Sequence, residues 1–521
     1  MMRGRFLPGC VLLGALALST VACRTDSDNI KAWASKSQGP RKLVAVLTHD
    51  KYPMDLRIEA ALTLVSMKPR GGRRVGIQGT DDQPGLIDAL SQMQPAARNA
   101  IVQKLVPKLQ EEMVKPLPPT QAGVAVTDPT VPYKDAAFAL LTHDGGALMT
   151  DEAQRQAVKA TLATWTSTNF AERLDDSSQM FGMEQVLREL KADGVRSLPE
   201  LIAPGASKID RLAGIIADFG DDATKAKASE KLVAVAKEVN SDTWIKQKSG
   251  VVEAANKASK QTPTPEQFKA QLAQYQEEEL LRVFSSMKKV GGKPAVTFLL
   301  AFAQDKSQTE KRRAAALAAL QGNLDKKDTA HAQAVLAIAG ASDTPDTVRE
   351  MALQRTGELP RPLVIDKLYE LFKHDNWKVR WIAAELVLKM SETPQLPEFF
   401  AKLGQADNMA ITEPLRYGQL LASMKGTPTP AEVATKYAAT GNPIQVRLTA
   451  LGYYYNVGTK ADLPKVSAYA KDRAATPKCK ANAQDCDWKC VVRTEKGEET
   501  KEVTTLGEFV ESCVKPAMEK R

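Results

Sequence analysis

The chain has 521 residues, 71 of them Lys or Arg and 62 Asp or Glu, so its formal net charge at pH 7 is +9. The basic residues are dispersed among acidic ones and are not interleaved with aromatic residues, which argues against nucleic-acid binding. Only four histidines are present, which limits general-base and metal chemistry. A chain this long with few linker-like breaks favours an array of repeats over one compact core.

The N-terminus has the layout of a secretory signal peptide. Arg3 and Arg5 precede an apolar run over residues 6–17, and small residues follow up to Cys23. The run is short and contains a proline and two glycines, so removal is expected in preference to retention as a membrane-spanning helix. We therefore predict a signal peptide over residues 1–22.

The stretch Leu18–Cys23 resembles the bacterial lipoprotein signal, in which small residues precede a cysteine that becomes diacylated. Thr20 departs from the family's preferred Leu, and the alternative is ordinary cleavage near Ala22, which would leave a soluble periplasmic protein. Arg24 follows the cysteine, where members retained in the inner membrane commonly carry Asp. The resemblance thus implies anchoring at the periplasmic side of the outer membrane through lipidated Cys23.

A five-residue unit recurs along the chain: an apolar residue, then Arg, then Ala three positions after the Arg. Clear copies stand at residues 56–60, 348–352, 379–383 and 446–450, and weaker ones at 312–316 and 415–419. In the C-terminal half the arginines are 31 or 36 residues apart. The apolar residue and the Ala share one helix face, and the small side chain allows close approach of a partner helix. Each unit therefore predicts the start of the second helix of a pair.

Residues around the unit predict the helix boundaries. Thr344, Asp375 and Asn442 stand four residues before the apolar position and are good N-cap types, and Pro345 and Pro443 suit the first helical position. Amphipathic segments upstream predict the first helices of pairs, at residues 43–50, 294–305 and 362–375.

Paired helices every 31 to 36 residues, with Asp at the turn and Val-Arg at the second helix, resemble the HEAT-repeat family. The match covers about residues 290–470 and 41–67 and is weak over 133–290. It implies an all-α solenoid in which Arg and Asp form polar ladders between successive repeats. The ladder residues implied by the resemblance are Arg57, Arg313, Arg349, Asp375, Arg380 and Arg447.

The C-terminal tail carries four cysteines, Cys479, Cys486, Cys490 and Cys513. An even cluster in an oxidising compartment predicts disulfides, and among three possible pairings we favour 479 with 486 and 490 with 513. The spacing does not match zinc knuckles, so no metal site is expected.

Around these cysteines, alternation at residues 488–494 and 500–504 predicts a β-hairpin about a turn at 495–498. A short helix should follow, with Thr505 and Glu508 at capping-box spacing and Leu506, Phe509, Val510 and Cys513 on one side. The whole chain is then expected to divide into a signal peptide (1–22), a lipid-anchored linker (23–40), N-terminal HEAT-like helices (41–115), a Pro-rich loop (116–132), degenerate helical repeats (133–290), HEAT-like repeats (291–472) and a disulfide-stapled cap (473–521).

Motifs for catalysis are missing from the sequence: no nucleophile elbow, phosphate-binding glycine loop or dinucleotide fingerprint is found. His49, His143 and His374 each precede Asp. A row of His-Asp pairs could bind metal or move protons, but equivalent helix-end turns of a repeat explain it better. We predict no catalytic residue, cofactor or metal. Trp377, which with Trp381 flanks Arg380, is a candidate partner contact, although the four-residue spacing of the two tryptophans favours packing between helices. Tyr454, within three consecutive tyrosines, is a second candidate contact.

The leading hypothesis is a non-catalytic, lipid-anchored scaffold of the cell envelope that binds a protein or peptide through its solenoid surface. The alternative is a structural envelope protein that acts by self-association or cell-wall contact. Some HEAT-like proteins are bilin lyases of phycobilisomes, but export and a disulfide-bearing tail do not suit that cytoplasmic task.

Overall fold

The computed structural model describes residues 25–116, 129–374, 376–406, 414–476, 489–494 and 497–521. It forms two compact units, Met1–Leu198 and Pro199–Arg521. Within the described ranges nearly all regular structure is helical and the one sheet has two strands, so the prediction of an all-α fold is confirmed. In that same part of the chain, no helix is both long enough and apolar enough to cross a membrane.

The first unit is built from short and medium helices that pack on their neighbours in the chain. Its helices are α1 (Ser27–Trp33), α2 (Gly39–Thr48), α3 (Met54–Ser66), α4 (Val75–Gln78), α5 (Leu86–Ser91), α6 (Pro95–Met113), α7 (Val131–Thr142), α8 (Glu152–Arg173), α9 (Met183–Leu190) and α10 (Ala192–Val195). The α2/α3 pair forms where the first HEAT-like unit was predicted. Leu43, Leu47 and Leu64 are fully buried between these helices and their neighbours.

The second unit begins with long helices and continues with shorter pairs. Its helices are α11 (Ile209–Phe219), α12 (Asp222–Val239), α13 (Asp242–Ala258), α14 (Pro265–Val290), α15 (Lys293–Gln304), α16 (Glu310–Ala319), α17 (Thr329–Gly340), α18 (Asp346–Thr356), α19 (Arg361–Glu370), α20 (Trp377–Lys389), α21 (Leu396–Gly404), α22 (Pro414–Ser423), α23 (Pro430–Ala438), α24 (Ile444–Val457), α25 (Leu463–Ser467), α26 (Leu506–Phe509) and α27 (Lys515–Glu519). The strands are β1 (Lys489–Thr494) and β2 (Gly497–Glu502).

From α15 to α20, consecutive helices pack as pairs, namely α15 with α16, α17 with α18 and α19 with α20. Each of α15 to α18 also packs on the helix two places along, so that α15 contacts α17 and α16 contacts α18. The alanines of the recurring unit are fully buried at these contacts, at positions 352, 383 and 450. Their small side chains let neighbouring helices approach closely, as the sequence pattern predicts.

The second helices begin one residue later than expected at two positions. Pro345 and Pro443 are N-caps with extended ψ angles of 147°, so neither is the first helical residue. Asn376 caps α20, and its side chain accepts a hydrogen bond from the Lys378 backbone N–H at 2.9 Å. The predicted cap Asp375 lies outside the described residues.

The C-terminal hairpin has a shorter connection than predicted. β1 and β2 pair antiparallel from Lys489 opposite Glu502 to Thr494 opposite Gly497. The second strand therefore starts three residues before the predicted Thr500. The predicted strand over residues 500–504 overlaps β2, whose six residues are all exposed.

The predicted disulfide between Cys490 and Cys513 is confirmed. It joins β1 to the helical segment after α26, where Leu506, Phe509 and Val510 are fully buried. Thr505 caps α26 by accepting a hydrogen bond from the Glu508 backbone N–H at 3.2 Å. Cys479 and Cys486, like Cys23 and the predicted signal peptide, lie outside the described residues.

We expect the combined substitutions Cys490→Ser and Cys513→Ser to destabilise the C-terminal end by about 3 kcal/mol, because the bond closes a loop spanning 23 positions in the unfolded chain. Urea titration monitored by hydrogen exchange over residues 489–519 should show the loss locally. Wild-type protein treated with a reductant should behave like the variant. Unchanged protection in both would contradict a stabilising role of this disulfide.

Candidate functional site

The recurring arginines lie at the junction between the two helices of a pair. Four of them are more than nine-tenths buried, and each donates its Nε–H to a backbone carbonyl in the last turn of the first helix. The Nε to oxygen distances are 2.8 Å for Arg57 to Leu47, 2.8 Å for Arg313 to Ala303, 3.2 Å for Arg349 to Ala339 and 3.1 Å for Arg447 to Ala438. These carbonyls lack partners within the helix, and a cation suits the negative end of its dipole.

Arg380 makes a related contact, because its Nη1 donates to the carbonyl of His374 at 2.6 Å. His374 caps the short 3-10 turn Leu371–Lys373, just as His49 and His143 stand at the C-caps of α2 and α7. The His-Asp dipeptides thus mark helix ends, as the repeat interpretation predicts.

Residues outside the predicted ladder also link successive pairs. Arg361 donates to Glu398 at 2.7 Å, and Glu358 accepts from the backbone N–H of Gly322 at 2.9 Å. The predicted ladder through Asp375 stays a prediction, because that residue lies outside the described ranges.

The Nη1 and Nη2 atoms of these arginines have different surroundings from one arginine to the next. Arg349 Nη1 lies 3.0 Å from an oxygen of Asp346, which also accepts from Asn376 Nδ2 at 2.9 Å, so this arginine reaches the next pair. Arg447 Nη2 lies 2.5 Å from Asp472. A hydrogen bond from the Ala474 backbone N–H, together with Arg447, lowers the pKa of Asp472.

Arg57 differs from these two, since no acidic residue of the described chain forms an ion pair with it. The position three residues before it is Met54, where Arg349 has Asp346. Its side chain instead lines a groove of about 620 Å³ in the first unit, together with His49, Gln92 and residues 94 and 97. The groove therefore contains a largely buried cation that forms no ion pair within the described chain.

The N-terminus of α6 borders the same groove. Gln94, its N-cap, makes no side-chain capping hydrogen bond, and Pro95 has no N–H to offer. The backbone N–H groups of Ala96 and Ala97 are thus first-turn donors without a side-chain partner. Arg57 and this helix end together favour an anionic group in the groove.

Tyr454 was wrongly predicted as a partner contact. Its side chain is only 1% exposed, and its hydroxyl shares a hydrogen bond of 2.6 Å with Thr435 Oγ1. Among the three consecutive tyrosines, it is the one that faces inward, and burial raises its pKa. Tyr453 and Tyr455 are partly exposed. The side chain of Trp377 lies outside the described residues.

The first unit contains a buried ionic cluster that the sequence patterns did not predict. Lys134 and Asp135 are fully buried, with Lys134 Nζ 2.7 Å from Asp135 Oδ1 and Arg74 Nε 2.9 Å from Asp135 Oδ2. Asp135 also accepts from the backbone N–H of Met180 at 2.9 Å. Burial lowers the pKa of Lys134, and the charge of Asp135 opposes that effect. The cluster holds two loops against α7, so we assign it a structural role.

No protein-family model matches the chain, and no curated protein matches it significantly. Within the described ranges, no group of three or more His, Cys, Asp or Glu side chains is placed to hold a metal ion. The groove at Arg57 is therefore the candidate site on the strength of its own geometry.

Replacing Arg447 with Met should lower the free energy of unfolding by about 3 kcal/mol, because it removes the opposite charge from Asp472 and leaves a carbonyl at the helix end without its donor. The folded-state pKa of Asp472 is lowered, so its stabilising contribution is present above its unfolded pKa of about 3.9 and is lost as pH falls through the folded value. The gap between wild type and variant should consequently narrow in acid.

Urea unfolding at a series of pH values measures this gap. The exposed neighbour Arg473 provides the control, and Arg473→Met should change stability by less than about 0.5 kcal/mol. A gap of similar size for both variants would argue against the role assigned to Arg447.

Proposed function

We propose that the mature chain is a non-catalytic interaction scaffold of the cell envelope, anchored by lipid at Cys23 on the periplasmic side of the outer membrane, and that it binds a protein or peptide partner. Its helix pairs would belong to a HEAT-like solenoid. The groove at Arg57 is the observation that supports this proposal best.

The charge of Arg57 favours an acidic binding partner at the groove. A charged group held away from water is costly unless an opposite charge or hydrogen bonds compensate it. Arg57 keeps its Nε bond to Leu47 but finds no acidic partner in the described chain. Buried arginines with open donors are frequent centres of binding energy at protein interfaces. A partner would supply the missing acceptor.

The way the helices pack supports a role as a binding scaffold. Where each helix packs mainly on its neighbours, as α15 to α18 do, the array leaves long faces uncovered by other parts of the chain. Such faces suit extended contacts with a partner.

The membrane anchor is testable by intact mass spectrometry of protein extracted from membranes. We expect the chain to begin at Cys23 with the mass of a diacylglyceryl group added, because the preceding residues resemble a lipoprotein signal. The mass should also lack two hydrogens for the bond between Cys490 and Cys513, and four if residues 479 and 486 pair as well. A Cys23→Ser variant is the control. Unmodified Cys23 in the wild type would remove the anchor from the proposal.

Partner binding at the groove is testable with a photo-crosslinking amino acid at Gln92, on the groove wall. One recurrent foreign protein from the envelope should be captured there, because the groove is the proposed contact. The matched control is Val251, a residue of α13 that is 48% exposed and does not line the groove. Capture of only the protein itself at Gln92 would favour the structural, self-associating alternative. Equal capture at both positions would contradict a specific groove.

A further inference from the structure

We infer that the groove at Arg57 binds a carboxylate, supplied by an Asp or Glu side chain of the partner. The inference rests on the proposed function and names the chemistry of its ligand. Three features of the described chain support it: the behaviour of the equivalent arginines, the free helix end beside Arg57, and the lining of the groove.

The chain itself shows what the outer edge of this arginine binds. Arg57, Arg349 and Arg447 make the same Nε bond to the first helix of their pair. In the latter two, the Nη groups meet an aspartate, Asp346 and Asp472 respectively. Arg313 makes the same Nε bond without an ion pair in the described chain, but it does not line the groove. At Arg57 the same Nη N–H groups remain available to an acceptor from a binding partner. A planar carboxylate can accept two parallel hydrogen bonds from a guanidinium group.

The helix end next to Arg57 adds a second, independent source of positive potential. α6 is 19 residues long, so its N-terminus carries the full partial charge of a helix dipole. The open amides of Ala96 and Ala97 lie beside the groove, since Gln94 and Ala97 line it. A carboxylate there can accept from both the guanidinium and the helix end.

The remaining lining fits the rest of a peptide. Val44, Pro84 and Met93 offer apolar surface, and the volume of about 620 Å³ is in the range of ligand sites. The groove has one acidic residue, Asp50, whose side chain is 95% exposed and lies 3.2 Å from His49 Nδ1. It forms no ion pair with Arg57, so the positive edge stays open to a ligand.

Fluorescence polarisation with three labelled decapeptides tests the inference. The first is acetylated and amidated with one central Glu, the second has Gln in its place, and the third also has Gln but ends in a free carboxylate. We expect the Glu peptide to bind at least about tenfold more tightly than the Gln peptide, as a charge-assisted hydrogen bond predicts. Equal affinities would overturn the carboxylate inference. Preference for the third peptide alone would assign the groove to a chain terminus and overturn the side-chain assignment.

Two variants test whether the Glu peptide binds in the groove. Ala97→Glu leaves the Nε bond of Arg57 intact and puts a negative charge into the groove, so it should reduce binding of the Glu peptide at least about tenfold. Arg57→Lys should do the same, because the fork of donors is lost. Unchanged affinity in Ala97→Glu would refute the site even if Arg57→Lys fails to fold.

Arg313→Lys is the matched control. Arg313 makes the same 2.8 Å bond to a helix end but does not line the groove, so its variant should lose stability comparably and keep its peptide affinity. If Arg313→Lys loses as much affinity, the loss of peptide binding in Arg57→Lys must be attributed to lost protein stability and not to the groove. Crosslinking from Gln92 reports on partner binding whatever the peptide's charge. The scaffold proposal can therefore survive a failure of the carboxylate inference.

Discussion

The hydrogen bond from a buried arginine to the end of the preceding helix is the contact on which the paired helices depend. A helix end leaves carbonyls without partners, and packing a second helix across that end would bury them unsatisfied. The Nε–H of the arginine satisfies one carbonyl, and the charge of the guanidinium opposes the negative end of the dipole. The long side chain spans from the second helix to the first, for example from Arg313 to Ala303. One residue type therefore fixes the geometry of each such pair.

The Nε hydrogen bond leaves the Nη groups of each arginine available to a second partner. Arg349 uses them to reach Asp346 and, through it, Asn376 of the next pair. Arg447 uses them on Asp472 in the segment after α25. Arg57 has neither partner, and its outer edge faces a groove. At Arg57 no acid of the described chain takes that place, and we propose that a binding partner supplies it.

Features with a local signature were predictable. Helical periodicity marked α15 within one residue of its observed ends, and spacing with compartment pointed to the disulfide between Cys490 and Cys513. Features that depend on distant packing were not. Strand β2 starts three residues before its predicted start, and Tyr454 is the buried member of a run of three, with its hydroxyl bonded to Thr435. Nothing in the residues around Lys134 and Asp135 shows that they lie fully buried.

By itself, the sequence determined the helical class and the positions of the recurring arginines, because periodicity and spacing are properties of neighbouring residues. It also marked the first histidine-bearing helix end at His49. The tertiary structure decided what each arginine touches. The groove at Arg57 needs the α2 end and the α6 start side by side, and these segments are about 45 residues apart in the chain. Contacts across such a separation depend on how the helices pack, which no local pattern encodes.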